Sequence, residues 1–154
     1  GQDYEWNSEE SLRWFLLDYP MYKGMQNCVR DLNLMYKGNE PLYQQDFDYR
    51  GFEWIDHSNA DDSVIAYMRK GYNPGDYLIA ICNFTPVVRE GYRIGGPEDC
   101  QYQEIFNSDD TNYWGSGVKN NGPVQAEKEE CNYKPFSIKV TLPPLSTIVI
   151  KPIR

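Results

Sequence analysis

The sequence has one histidine in 154 residues, no cysteine pair at redox or metal-binding spacing, and no apolar run near the length a membrane-crossing helix needs, about twenty residues. Each lack removes a class of function. His57 ends a predicted strand beside Ser58-Asn59-Ala60-Asp61-Asp62 and reads as a surface residue, because a catalytic base also needs a nucleophile and an orienting group. Cys28, Cys82, Cys100 and Cys131 form no CxxC and have no histidine at zinc-finger spacing, so no metal and no cofactor is expected. There is no G-x-S-x-G elbow, and Gly115-Ser116-Gly117, without a Walker lysine frame, reads as a flexible bend. The N-terminus Gly1-Gln2-Asp3-Tyr4 lacks the layout of a signal peptide. Basic residues are also in short supply. Fifteen against twenty-three acidic ones give a formal charge of −8, a field that repels phosphate backbones and anionic lipid, so nucleic acid and membrane are poor partners. A neutral polysaccharide is not penalised by that charge. Cys82, in an apolar stretch, has the setting of a buried free thiol, and the chain reads as a reduced, cytoplasmic protein, although spacing alone leaves a disulfide open.

What is present favours strands. Hydrophobic residues make up 40% and aromatics 15%, with thirteen Tyr and four Trp, in a length suited to one domain plus an appendage. The first forty residues differ from the rest. Asn7 and Glu10 have capping-box spacing, which predicts a short helical turn interrupted by Pro20. From Met21 to Lys37, Met25, Val29, Leu32 and Tyr36 recur at intervals of three and four with Cys28 and Met35 flanking them. This predicts an amphipathic helix with a buried stripe, closed by Gly38 as C-cap and by Pro41.

Beyond about Phe52 the period becomes two. Ser63 to Lys70 and Tyr77 to Phe84, separated by Gly71-Tyr72-Asn73-Pro74-Gly75-Asp76, predict a hairpin whose nearly continuous apolar second strand is central. Further strands are predicted at Phe52 to His57, Glu90 to Ile94, Tyr102 to Asn107, Phe136 to Leu142 and Thr147 to Ile150. In the fourth of these, Ser137, Lys139 and Thr141 are expected to face outward. Seven or so short strands at close spacing predict a mainly β protein, an antiparallel β-sandwich or barrel with the helix in another layer. Residues 107–123 have no period, and loops of that length are docked, functional or disordered.

Chemistry is sparse. Asp46, Asp48, Glu53, Asp56, Asp61, Asp62, Asp109 and Asp110 fall in turns or beside strands, the setting of solvated carboxylates and caps. Tyr113-Trp114, at the centre of the long loop, is the best local candidate for stacking on a sugar ring; the competing reading is that the two rings pin the loop to the domain.

Several strings then occur together and in order. They are Glu5-Trp6-Asn7, Asp31-Leu32-Asn33, Asp46-Phe47-Asp48, Gly51-Phe52-Glu53-Trp54, Asn83-Phe84-Thr85-Pro86-Val87, Gly91-Tyr92-Arg93, Asn107-Ser108-Asp109, Gly115-Ser116-Gly117 and Leu142-Pro143-Pro144-Leu145. Taken collinearly over the whole chain, they resemble the C-terminal part of glycogen (1,4-alpha-glucan) branching enzymes of the alpha-amylase superfamily. The resemblance implies a last helix of a (β/α)₈ barrel in residues 1–40 and a C-terminal β-sandwich of alpha-amylase type in residues 41–154. Such enzymes move an α-1,4-glucan segment to a C6 hydroxyl, using an Asp nucleophile, a Glu acid/base and a second Asp. Nothing here matches the motifs that carry those three, so they are expected upstream of Gly1 and the chain alone is expected to be an inactive scaffold with no catalytic residue. Gly1 to Asn7 resembles the loop after the eighth barrel strand, on the catalytic face, which would set Trp6 at the border of the substrate cleft. Trp6, Tyr113 and Trp114 are the carbohydrate-contact candidates. The implied partners are the catalytic barrel and α-glucan. The helix stripe, lacking its barrel, is expected to fold back on the sandwich or to pair two copies, with Val29 and Leu32 covered. An autonomous carbohydrate-binding module is the alternative; an immunoglobulin-type adhesive sandwich fits the strand number but not the motif series.

Overall fold

The computed structural model describes residues 7–154. Helix α1 spans Pro20–Gly38, and eight strands follow: β1 Phe52–Asp56, β2 Val64–Lys70, β3 Tyr77–Asn83, β4 Arg89–Gly96, β5 Gln101–Asn107, β6 Val124–Gln125, β7 Phe136–Leu142 and β8 Ser146–Ile153. All pairings are antiparallel. One sheet has six strands in the order β1-β2-β3-β8-β5-β6, and β4 and β7 form the other. The hairpin of β2 and β3 lies where the sequence predicted it. The two-residue β6 went unpredicted, being too short to show a period.

β3 is buried along almost its whole length because both of its faces are covered. Inward, Ile79 and Ile81 join Val64, Ala66, Ile148 and Ile150 against Ile94, Ile138 and Val140 of the small sheet. Outward, Leu78 and Ala80 meet Val149 and Phe106 beneath Cys28 and Met35 of α1. The domain therefore has three layers: helix, large sheet, small sheet. Tyr77 and Tyr102 are buried in the inner core, and each hydroxyl finds the other at 2.8 Å.

The structure corrects several sequence-based expectations. Asn7 caps no helix; its Oδ1 accepts from the Glu9 amide at 3.0 Å, a local turn that competes with helix formation, and a 3-10 turn follows only at Trp14–Asp18. Pro20 opens α1 at the first helical position, where its missing N–H is no loss. Gly38 is the last helical residue and not a left-handed cap. Asn39 ends the helix, its side-chain amide donating to Met35 O at 2.8 Å. Ser137 does share the outer face with Lys139 and Arg93, but it is fully buried there instead of solvated: its backbone pairs with Glu127 and its hydroxyl accepts from Arg93 at 2.5 Å.

The largest correction concerns α1. The helix does lie on the large sheet, but through Gly24, Cys28 and Met35, which were expected to be flanking positions. Met25 and Val29 of the predicted buried stripe point to solvent, Val29 at 50% exposure; Tyr36 is half exposed against Tyr43, and Leu32, at 38%, lies at the margin of helix and sheet. The stripe is real; the sandwich is not what it covers.

Candidate functional site

The long loop is built around two buried polar residues. Asn107, at the end of β5, donates to Val118 O at 2.9 Å and accepts from the Asp109 amide at 2.9 Å. The Asp109 carboxylate accepts from the Ser116 amide, the Ser116 hydroxyl and the Val118 amide at 2.9, 2.6 and 3.2 Å. Gly115 passes so close to the Asp109 backbone that a Cβ there would sit 2.1 Å from its carbonyl oxygen. Gly115-Ser116-Gly117 is thus a tied wrap around a carboxylate, and not the flexible bend the sequence suggested. Farther along, Asn120 exchanges hydrogen bonds with the backbone of Thr141 at 2.8 and 3.0 Å and pins the loop to β7.

This loop carries two of the three carbohydrate-contact candidates, and their settings differ. Tyr113 stacks on Phe106 with centroids 5.8 Å apart, and its hydroxyl donates to Asp31 of α1 at 3.0 Å. Asn27 donates to Asn112 O at 3.3 Å beside it. Tyr113 therefore joins helix, loop and sheet. Trp114 has left-handed backbone geometry, φ 71°, and its indole is 64% exposed. Trp6 lies outside the described residues.

The Asp31 latch is acid-labile by its electrostatics. The Arg30 hydrogen bond first, and the Tyr113 hydroxyl second, hold the Asp31 carboxyl below its ordinary value. Tyr113 is pushed up to about 12, by burial first and by Asp31 next. A carboxyl depressed in the folded chain contributes stability that is complete above the unfolded value, about 4, and disappears as pH falls through the folded value. Hydrogen-exchange protection of residues 107–117 is expected to hold from about pH 5 to 9 and to drop below about pH 4. Asp31→Asn should lower it at neutral pH and flatten its dependence on acid. Equal pH profiles for the two proteins would show that the latch is inert.

A further aromatic group was missed by sequence reasoning. Trp54, Tyr67, Ala80, Val149 and Phe106 lie side by side across five strands in one row on the outer face. α1 covers the Phe106 end. At the other end Phe52 stacks on Tyr67 at 5.4 Å and meets Trp54 edge-on at 4.9 Å, and Trp54 is half exposed with His57 5.8 Å away. The alternation of Phe52 and Trp54 was legible; that β1 is an edge strand beyond the reach of the helix was not. Between the two ends a cavity of about 260 Å³ opens beneath Leu32 and Met35, floored by Tyr67, Ala80 and Val149.

Glycosyl transfer needs one carboxyl held protonated beside another that is ionised. Every described carboxyl group with a resolved shift is moved the other way, Asp31, Asp46, Asp48, Glu53 and Glu127 all being lowered. Asp48 falls to about 2 on the hydrogen bonds of Arg50. Glu53 is lowered although burial opposes it, because Lys134 and Lys70 both bond to it. Among the described residues no group of three or more His, Cys, Asp or Glu is placed to hold a metal ion, and the four cysteines are free. No described helix is long and apolar enough to cross a membrane.

An antiparallel sandwich of unequal sheets, with a helix laid across the larger sheet, defines a mainly β domain. The chain belongs to the alpha amylase C-terminal all-beta domain family, which matches residues 54–153. The relatives extend over the helix as well. The 1,4-alpha-glucan branching enzyme of Halothermothrix orenii is 47% identical over 153 residues, covering 99% of this chain and 24% of that protein. Those of Rubrobacter xylanophilus and Aquifex aeolicus are 43% and 44% identical over 99% and 98% of this chain, and 21% and 24% of theirs. The chain spans about a quarter of the length of these relatives, or less.

Proposed function

We propose that this chain is the C-terminal, non-catalytic scaffold of a cytoplasmic 1,4-alpha-glucan branching enzyme, with residues 1–40 contributed to the catalytic barrel and residues 41–154 forming the sandwich that buttresses it. The observation that carries this is the uncovered stripe of α1. Met25, Val29 and Tyr36 are apolar, in register and directed away from the sheet the helix already occupies, while Leu32 lies at the margin, over the cavity between helix and sheet. An apolar face of that kind on a docked helix is one side of a second interface. The barrel is its occupant in the whole enzyme, and in the isolated chain a second copy can take its place.

The chain assayed alone should show no branching above background. Substituted for the matching segment of the Halothermothrix orenii relative, it should preserve activity, and Met25→Glu with Val29→Glu in that hybrid should abolish it by opening the interface. Full activity in the doubly charged hybrid sinks the scaffold reading.

A second reading, carbohydrate binding by the sandwich itself, is favoured by the exposed indoles of Trp114 and Trp54, whose faces can stack on glucose rings. Retention of the chain on immobilised glycogen tests it. Trp54→Ala and Trp114→Ala should each reduce retention, while Tyr113→Phe should reduce it only through the loop. No retention of the unmodified chain would dismiss glucan contact by this domain.

A further inference from the structure

The turn between Cys131 and Lys134 contains an unexplained residue. The Cys131 amide donates to Lys134 O at 3.1 Å and the Lys134 amide to Cys131 O at 2.8 Å, closing a two-residue hairpin loop. Both central residues have positive φ, 49° at Asn132 and 59° at Tyr133, as a type I′ turn requires. Asn132 suits its place. Its short side chain tolerates left-handed geometry, and its Oδ1 accepts from the Gly95 amide at 3.0 Å, tying the turn to β4. Tyr133 does not. It occupies the position where such turns take glycine, and an aromatic residue is strained there. Burial gives no compensation, since Tyr133 is 99% exposed and has no hydrogen-bond or ring partner among the described residues.

What Tyr133 does have is position. It stands between two recesses that share Asp56, Ser58 and Asn132. One, of about 510 Å³, runs toward Asn59 and Glu130; the other, of about 240 Å³, runs toward Trp54 and His57. The larger lies within the size range of small-ligand clefts. Among the described residues, Ser58 Oγ, Asn132 Nδ2 and the Glu130 carboxylate have no partner, so the walls offer donors and acceptors that are not already engaged. The two carboxylates, Asp56 and Glu130, repel an anion but accept hydrogen bonds from neutral hydroxyls. Aromatic faces flanked by free carboxylate, hydroxyl and amide groups match a polyhydroxylated ring.

We infer that Tyr133 is a binding residue, held at the tip of a strained turn so that its ring stacks on a neutral α-glucan segment lying along the Asp56–Asn132 cleft. This rests on the glucan-binding reading above and extends it from the edge of β1 to the opposite wall. The strain is tolerated because the ring is used.

The test pairs stability with affinity in the 154-residue chain, using maltoheptaose as the titrant in calorimetry. Tyr133→Gly relieves the backbone and should raise the Tm by about 2–4 °C. It should also weaken binding about three- to tenfold, the worth of one aromatic contact. Tyr133→Phe should keep affinity within about twofold, since stacking needs the ring and not the hydroxyl. Unchanged affinity in Tyr133→Gly, while Trp54→Ala weakens binding, overturns the role of Tyr133 and leaves glucan binding standing. A lowered Tm in Tyr133→Gly overturns it too, by showing that the side chain serves the fold. No heat of binding from the unmodified chain removes the glucan reading and this inference together.

Discussion

Asn83→Leu is expected to destabilise the chain by about 3–5 kcal/mol, a Tm drop on the order of 10 °C. The two side chains are similar in size, so the loss is one of hydrogen bonds and not of volume. Asn83 is 1% exposed at the end of β3, where its amide donates to Val87 O and Pro143 O, both at 2.8 Å. Its oxygen accepts from the amide and the hydroxyl of Thr85 at 3.0 and 2.7 Å. Leu145, at φ 45°, donates its amide N–H to Thr85 O at 2.8 Å. One side chain thus clamps Asn-Phe-Thr-Pro to Leu-Pro-Pro-Leu, two segments about sixty residues apart in sequence. Leucine would remove all four bonds, leaving the part-buried Val87 carbonyl and Thr85 amide without that partner and the buried Pro143 carbonyl with Ser146 alone. Thr85→Val removes only one hydroxyl bond and should cost about 1 kcal/mol. Urea unfolding of both variants decides the matter; a leucine variant within 1 kcal/mol of the parent would mean that the clamp relaxes freely.

Gly24→Val is expected to undock α1 and, in the hybrid enzyme, to abolish activity without touching the helix stripe. A Cβ at Gly24 would lie 2.6 Å from Tyr113 C and 2.7 Å from Tyr113 O. Those are backbone atoms, and they cannot retreat without breaking the Asn27–Asn112 bond, the Asp31–Tyr113 bond and the stack on Phe106. The gain in helix propensity on replacing glycine, up to about 1 kcal/mol, is smaller than the combined worth of those contacts. Gly38→Ala is the control, since nothing lies within 4 Å of its Cβ and its backbone is helical. It should stabilise slightly. The measurement is proteolytic cleavage within residues 20–38, rapid in Gly24→Val and slow in Gly38→Ala. Equal rates in the two would show that the close approach at Gly24 is not what holds the helix.

The contrast between those two glycines shows how far the sequence could be read. Both interrupt one helical pattern, and a linear pattern cannot tell a glycine that admits another backbone from one that meets nothing. The same limit applied to Asp109 and Tyr113. Their segment has no period, so a docked, a functional and a disordered loop all stayed open, whereas three donors to one buried carboxylate make it a docked wrap. Trp54 was visible as an aromatic in an alternating strand. Only the strand order, with β1 at the edge and α1 at the far side, leaves its face open.

By itself the sequence determined the antiparallel β class, the β2–β3 hairpin, the helix and its amphipathic stripe. These follow from side-chain periodicity and turn chemistry, which are local. The motif series also gave the family, because collinear strings survive where the contacts between them are not visible. The tertiary structure decided which side of α1 meets the sheet. Both sides carry apolar residues at helical spacing, and the choice fell to Gly24, Cys28 and Met35 because only there does the backbone come close enough for the Tyr113 latch to close. That choice leaves Met25 and Val29 for another surface.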